Sequence, residues 1–153
     1  MSRRPPQRLL PALALVCACA PAAHAGLGGD AASILSDTID MQGVATAAHF
    51  PAYEVQEIVT GGGLRVREYV SGGRVFAVAW AGPVMPDMKA VLGASFAAYA
   101  QHLASLDHPG LHRSIRIATA DLVLESAGHM RAYYGRAYLP ALAPAALSVA
   151  ELR

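Results

Sequence analysis

The sequence predicts an α+β domain: an antiparallel sheet of about six strands, in two meanders that flank one long amphipathic helix over residues 86–106. Three observations predict it. Two runs, 64–70 and 74–80, alternate with period two on either side of Gly72 and Gly73, the mark of strands with one buried face. An apolar stripe of helical period follows at Met88, Val91, Leu92, Phe96, Tyr99, Leu103 and Leu106. Three more strand-like runs then lie between Leu111 and Leu139.

The N-terminus reads as an export signal. Arg3, Arg4 and Arg8 precede an apolar run from Leu9 to Ala20, and Ala23-His24-Ala25 fits a small-x-small cleavage site. The run is short of the about 20 residues of a membrane span. Cleavage after Ala25 is expected, with a periplasmic or secreted destination. Both cysteines, Cys17 and Cys19, lie in this leader. Val16-Cys17-Ala18 suits a lipoprotein signal poorly, and lipidation at Cys19 stays as an alternative. The processed chain has no cysteine, hence no disulfide and no thiol nucleophile. Removing Arg3, Arg4 and Arg8 from the 12 basic residues leaves nine against 11 acidic ones, a net charge of about −2. That balance argues against a nucleic-acid partner, which needs a basic patch. No second apolar run suggests a transmembrane helix, and about 128 residues make one domain. The expected division is 1–25 signal, 26–51 leader and short helix, 52–153 α+β domain.

Gly26 to Gly29 reads as a flexible leader. Asp30 can cap a helix over 31–41, with Ile34, Leu35 and Ile39 on one side and Gly43 past its end. The stretch 44–51 lacks periodicity and reads as a connector. The run 53–60 alternates, and Gly61-Gly62-Gly63 forms a loop that sets Ile58 opposite Val66, Glu57 opposite Arg67 and Val55 opposite Tyr69. For the next hairpin, a three-residue loop Ser71-Gly72-Gly73 sets Val66 opposite Val78 and Glu68 opposite Phe76. Trp80, Val78 and Phe76 then face the helix stripe bearing Phe96 and Leu103.

Pro86 suits the first turn of the long helix, and Asp87 favours its positive end. From Pro86 to Leu106 it would run about 31 Å. Gly93 opposes it by roughly 1 kcal/mol. Beyond it, strands are expected over 111–117, 122–126 and 129–139, with turns at Thr119-Ala120-Asp121 and Ala127-Gly128 and a bulge at Gly135. Pro140 and Pro144 stop the sheet, and Ser148 with Glu151 fits a capping box. Whether the meanders form one open sheet or a barrel-like one is left undecided by the pattern.

An ordered set of motifs carries a family resemblance. Ala25-Gly26-Leu27-Gly28-Gly29-Asp30 follows the leader. Val66-Arg67-Glu68-Tyr69-Val70 leads to Gly73-Arg74-Val75-Phe76-Ala77-Val78-Ala79-Trp80, then Gly82-Pro83 and Pro86-Asp87. Near the end stand Gly128-His129-Met130-Arg131-Ala132 and Gly135-Arg136-Ala137-Tyr138-Leu139-Pro140. The chain resembles the exported bacterial family catalogued as domain of unknown function 2844, over essentially its whole length. The resemblance implies export across the inner membrane and carries over no catalytic or binding residue.

The residues themselves point to no catalytic constellation. There is no Gly-x-Ser-x-Gly, and Ser126 precedes His129 without an acidic orienter. Asp37 and Asp40 are expected on a solvated helix face. His102, His108, His112, His129 and His49 do not reproduce metal-ligand spacing, and no metal or other cofactor is expected. Glu68, on the expected core face, needs a charged or hydrogen-bonding partner, which Arg131 or Arg136 can supply. Arg67, Glu68, Arg131, Tyr133 and Arg136 are therefore the candidate binding residues. The expected function is a non-enzymatic envelope interaction domain with a free sheet edge, its partner an envelope protein or a small anionic ligand. A small-ligand protein with a pocket between helix and sheet is the second expectation, and a periplasmic hydrolase the third.

Overall fold

The computed structural model describes residues 26–107, 114–145 and 147–153. The expected signal segment with Cys17 and Cys19, and the expected strand start at Leu111 with His108 and His112, lie outside the described residues. The fold is α+β, with a seven-stranded antiparallel sheet rather than six strands. Strands β1 (Gly43–His49), β2 (Glu54–Thr60), β3 (Arg65–Ser71) and β4 (Arg74–Gly82) form one meander, and β5 (Ser114–Ala118), β6 (Val123–His129) and β7 (Ala132–Tyr138) the other. The order β1-β2-β3-β4-β7-β6-β5 makes one open sheet, joined at its centre where β4 pairs with β7.

The β2–β3 register is the expected one: Val55 faces Tyr69, Glu57 faces Arg67 and Ile58 faces Val66. The β3–β4 hairpin differs. Gly72 and Gly73, both at positive φ, make a two-residue turn closed by Ser71 and Arg74, as a tight hairpin with this twist requires. A bulge between Tyr69 and Val70 then shifts the ladder, so Val66 faces Trp80 and Glu68 faces Val78. The extra residue is Phe76, which packs with Tyr69, Ala77, Ala79 and Leu152 on the sheet's outer face. Phe76 is fully buried, but away from the helices. Val78 and Trp80 do face inward, with Val66, Val91, Leu92 and Tyr99, and with Phe96 and Leu103 at the rim.

The long helix is broken. α2 (Met88–Leu92) is capped by Asp87, whose carboxylate accepts from the Lys89 amide at 2.9 Å, and α3 (Phe96–Ala104) follows a 3-10 turn at Gly93–Ser95. Gly93 sits at φ +50°, ψ −127°, a conformation that ends α2 and that side chains resist. The cause lies outside the helix. Gly26 and Leu27 cross at this point, with the Leu27 amide donating to the Val91 carbonyl at 2.9 Å. The expected flexible leader is thus fixed: Leu27 is 1% exposed, and Gly28 and Gly29 pair with Val75.

Two further expectations change. β1 occupies most of the expected connector; both its faces are exposed, so it shows no alternation. The β6–β7 turn is Met130-Arg131, not Ala127-Gly128, with Arg131 at φ +67°. Gly135 marks no bulge, because both of its ladders are regular. Instead a Cβ there would lie 2.3 Å from Cζ2 of Trp80. The missing side chain is the slot that the indole fills.

Gly135→Ala should therefore destabilise the fold by about 1–3 kcal/mol, the usual cost of overpacking, read as a lowered thermal midpoint. An unchanged midpoint would show that Trp80 does not occupy that slot.

Candidate functional site

Alternation places one residue from each strand in a row across the outer face: Thr46, Glu57, Arg67, Ala79, Arg136, Glu125 and Arg116. The charges along it alternate in sign around the small central Ala79. Arg67 Nε donates to Glu57, and Arg136 donates to Glu125 Oε2 through Nε at 3.1 Å and Nη2 at 2.7 Å. Arg116 lies 3.6 Å from the other Glu125 oxygen.

The C-terminal segment crosses this row. Arg136 Nη1 donates to the Val149 carbonyl at 2.7 Å, and Arg67 Nη1 donates to the Arg153 carbonyl. The Tyr69 hydroxyl accepts from the Arg153 amide at 3.1 Å, and Tyr53 donates to the Glu151 carboxylate at 3.0 Å. Leu152, 2% exposed, is the apolar anchor between them. Ser148 precedes a 3-10 turn at Val149–Glu151 but makes no side-chain cap, so the expected capping box is absent. A groove of about 580 Å³ lies on the β1 side of this segment, lined by Thr46, Phe50, Tyr53, Arg67 and Arg153 among others. Another, of about 540 Å³, lies toward β5 and includes Ile115, Tyr134 and Arg136.

The five candidate residues do not converge. Arg67 and Arg136 share the outer face and grip the C-terminal segment. Arg131 is exposed at the β6–β7 turn, and Tyr133 pairs at the end of β7, opposite Gly82 and Gly128. Glu68 is on the inner face and fully buried. Neither expected arginine reaches it. Its partner is Asp37 of α1 (Ile34–Asp40), itself 3% exposed rather than solvated. Burial, then the charge of Asp37 and its side-chain hydrogen bond, push the Glu68 pKa up to about 8. Beside Asp37, the buried Glu68 carboxyl therefore keeps its proton well above the ordinary carboxyl range. Neither residue lines either of the two grooves described, and the pair ties α1 to the inner face of β3.

With Asp37 turned inward, α1 turns Leu35 and Ile39 outward, at 69% and 66% exposure. This helix packs against β1. Among the described residues β1 is a sheet edge, paired only with β2. It carries no charged residue from 43 to 48, and every residue from Val44 to Phe50 is exposed. Phe50 stacks on Tyr53 at 4.9 Å between ring centres. Sequence reasoning missed β1, Asp37 and Tyr53. Moving the β6–β7 turn to Met130-Arg131 in the alternation would have found the Glu125–Arg136 pair.

A family model described as Protein of unknown function (DUF2844) matches residues 23–152. The chain belongs to this family. Comparison with curated proteins and with solved structures finds no match. The motifs of this DUF2844 protein now have structural places. Val66 to Val70 and Gly73 to Trp80 build the central hairpin, and Gly135 to Leu139 carry the Trp80 slot and the Arg136 clamp. Among the described residues, no helix is long and apolar enough to cross a membrane, and no three His, Cys, Asp or Glu side chains group to hold a metal.

The carboxyl pair makes stability depend on pH with a definite sign. Folding raises the Glu68 pKa from an ordinary 4.5 to about 8, so the folded chain holds a proton that the unfolded chain releases. Its contribution is fully present below about pH 4.5 and falls as pH rises toward 8. Glu68→Gln should flatten this decline, leaving a variant relatively more stable at pH 8 than at pH 5. Parallel stability curves for the two proteins across that window would refute the raised Glu68 pKa.

Proposed function

We propose that the protein is an exported, non-enzymatic interaction domain that receives an extended polypeptide strand on the edge of β1. The observation that carries this reading is the edge itself: seven residues long, uncharged from 43 to 48 and exposed on both faces. Edge strands offer a row of backbone donors and acceptors, and soluble proteins usually blunt them with lysine, proline or a covering element. β1 has neither lysine nor proline. Main-chain pairing supplies affinity in such recognition, and pockets for alternate side chains supply selectivity. Both kinds of feature lie beside β1. The outer-face groove with Phe50, Tyr53 and Arg67 would receive one set of side chains. The exposed Leu35 and Ile39 of α1 offer apolar contact by the other face, and exposed apolar surface of this kind marks association. Export is supported by the grammar of residues 1–25, with basic, apolar and small-residue parts in order.

The small-ligand alternative placed its pocket between helix and sheet. That space is filled by Val78, Trp80, Val91, Leu92 and Tyr99, which favours the edge.

Peptides selected from a random display library against this chain should be rich in uncharged β-branched and aromatic residues. The double variant Ala45→Lys, Ala47→Lys adds edge charges at exposed positions and should weaken those peptides about tenfold or more while leaving the thermal midpoint nearly unchanged. Equal binding by the variant would remove β1 as the recognition element.

A further inference from the structure

We propose that the strand received by β1 is that of a second copy of this chain, running antiparallel about a two-fold axis at Thr46, so that two sheets join into one. The inference rests on β1 being a pairing edge and goes beyond it by naming the partner.

The register can be derived from β1 alone. An antiparallel pair keeps both outer faces on one side only if opposed residues share the same face, because successive side chains alternate. For two identical strands this restricts the axis to pass at a residue rather than between residues. Placed at Thr46, the axis pairs Gly43 with His49, Val44 with Ala48, Ala45 with Ala47 and Thr46 with Thr46 of the second copy, using all seven residues. Placed at Ala45 or Ala47, it pairs only five of them.

The Thr46 register is also complementary in size and free of charge repulsion. The larger Val44 and His49 each face a small residue, and opposed threonines are a favourable cross-strand pair. No ionised side chain faces another, since 43–48 carry none. On the outer face, Thr46 ends the charged row of each copy, so the two rows would meet through uncharged threonines. The two Glu57 carboxylates would then stand three strand spacings apart, about 14 Å, beyond the screening length of about 8 Å at physiological salt. Each is already paired with its own Arg67. A heterologous strand would need a register that nothing in this chain specifies; a second β1 supplies one.

Directly opposed residues in an antiparallel pair have Cα atoms about 4.5–5.5 Å apart, a separation that a disulfide spans. The test uses the full chain with Cys17→Ser and Cys19→Ser as background. Thr46→Cys should form a covalent dimer under mild oxidation about tenfold faster than Val44→Cys, because only the former faces itself. Val44→Cys mixed with Ala48→Cys should cross-link as Thr46→Cys does. Light scattering should give twice the chain mass for the background chain and the single-chain mass for Ala45→Lys, Ala47→Lys, with unchanged circular dichroism. A monomeric background chain, or equal cross-linking at Thr46 and Val44, overturns the proposal. If such a monomer still binds library peptides through β1, the edge reading survives and only the second copy is lost. If the lysine variant changes neither association nor peptide binding, both fall.

Discussion

The whole sheet depends on the contact between β4 and β7. Among the described strands, the two meanders pair only there. Trp80 lies over Gly135, in space that any other residue would fill. Each residue of β4 from Val75 to Trp80 is buried, so this strand is covered on both faces. Its inward side chains carry the helices, and its outward ones carry Leu152 and the C-terminal segment. The Phe76 bulge divides the strand between these two cores. It is the feature that gives a seven-stranded open sheet an apolar centre on each side.

From that centre outward, burial falls toward β1. Charge pairing takes over on the outer face, where Glu57, Arg67, Arg136 and Glu125 compensate one another and their spare donors hold main-chain carbonyls. Such half-exposed pairs contribute little stability; their effect is to position the C-terminal segment. On the inner face Asp37 sits beside Glu68 and Ile34 stays in the core, while Leu35 and Ile39 of α1 point away from the sheet. The outermost strand is left with an uncharged edge, an apolar helix face beside it and an aromatic groove behind it. These three features have separate local causes, and together they make an association surface.

Legibility in the sequence followed the number of independent local signals. The β2–β3 register was readable because three glycines, period-two alternation and the Glu57–Arg67 pair all agreed. The β3–β4 faces were readable except at Val75 and Phe76, which the bulge exchanges, since a bulge leaves no mark in an alternation pattern. β1 was invisible because a strand exposed on both faces has no alternation to detect. The helix break was half visible in Gly93; its cause, the passage of Gly26 and Leu27, is non-local. The candidate site was the least legible part. Arg67 and Arg136, expected to line a binding site with Glu68, instead hold the C-terminal segment on the outer face. Glu68 was rightly placed in the core, but its partner came from a helix whose rotation the sequence pattern set the wrong way.

The joint at β4 and β7 is open to direct measurement, because Trp80 is the sole tryptophan and sits within it. Its native emission should be that of a buried indole. On denaturant titration it should move to the solvent-exposed value in one transition that coincides with loss of far-ultraviolet circular dichroism. A solvent-exposed emission in the native protein would contradict the packing of Trp80 against Gly135. A fluorescence transition separated from the dichroism transition would show instead that the two meanders unfold as separate units.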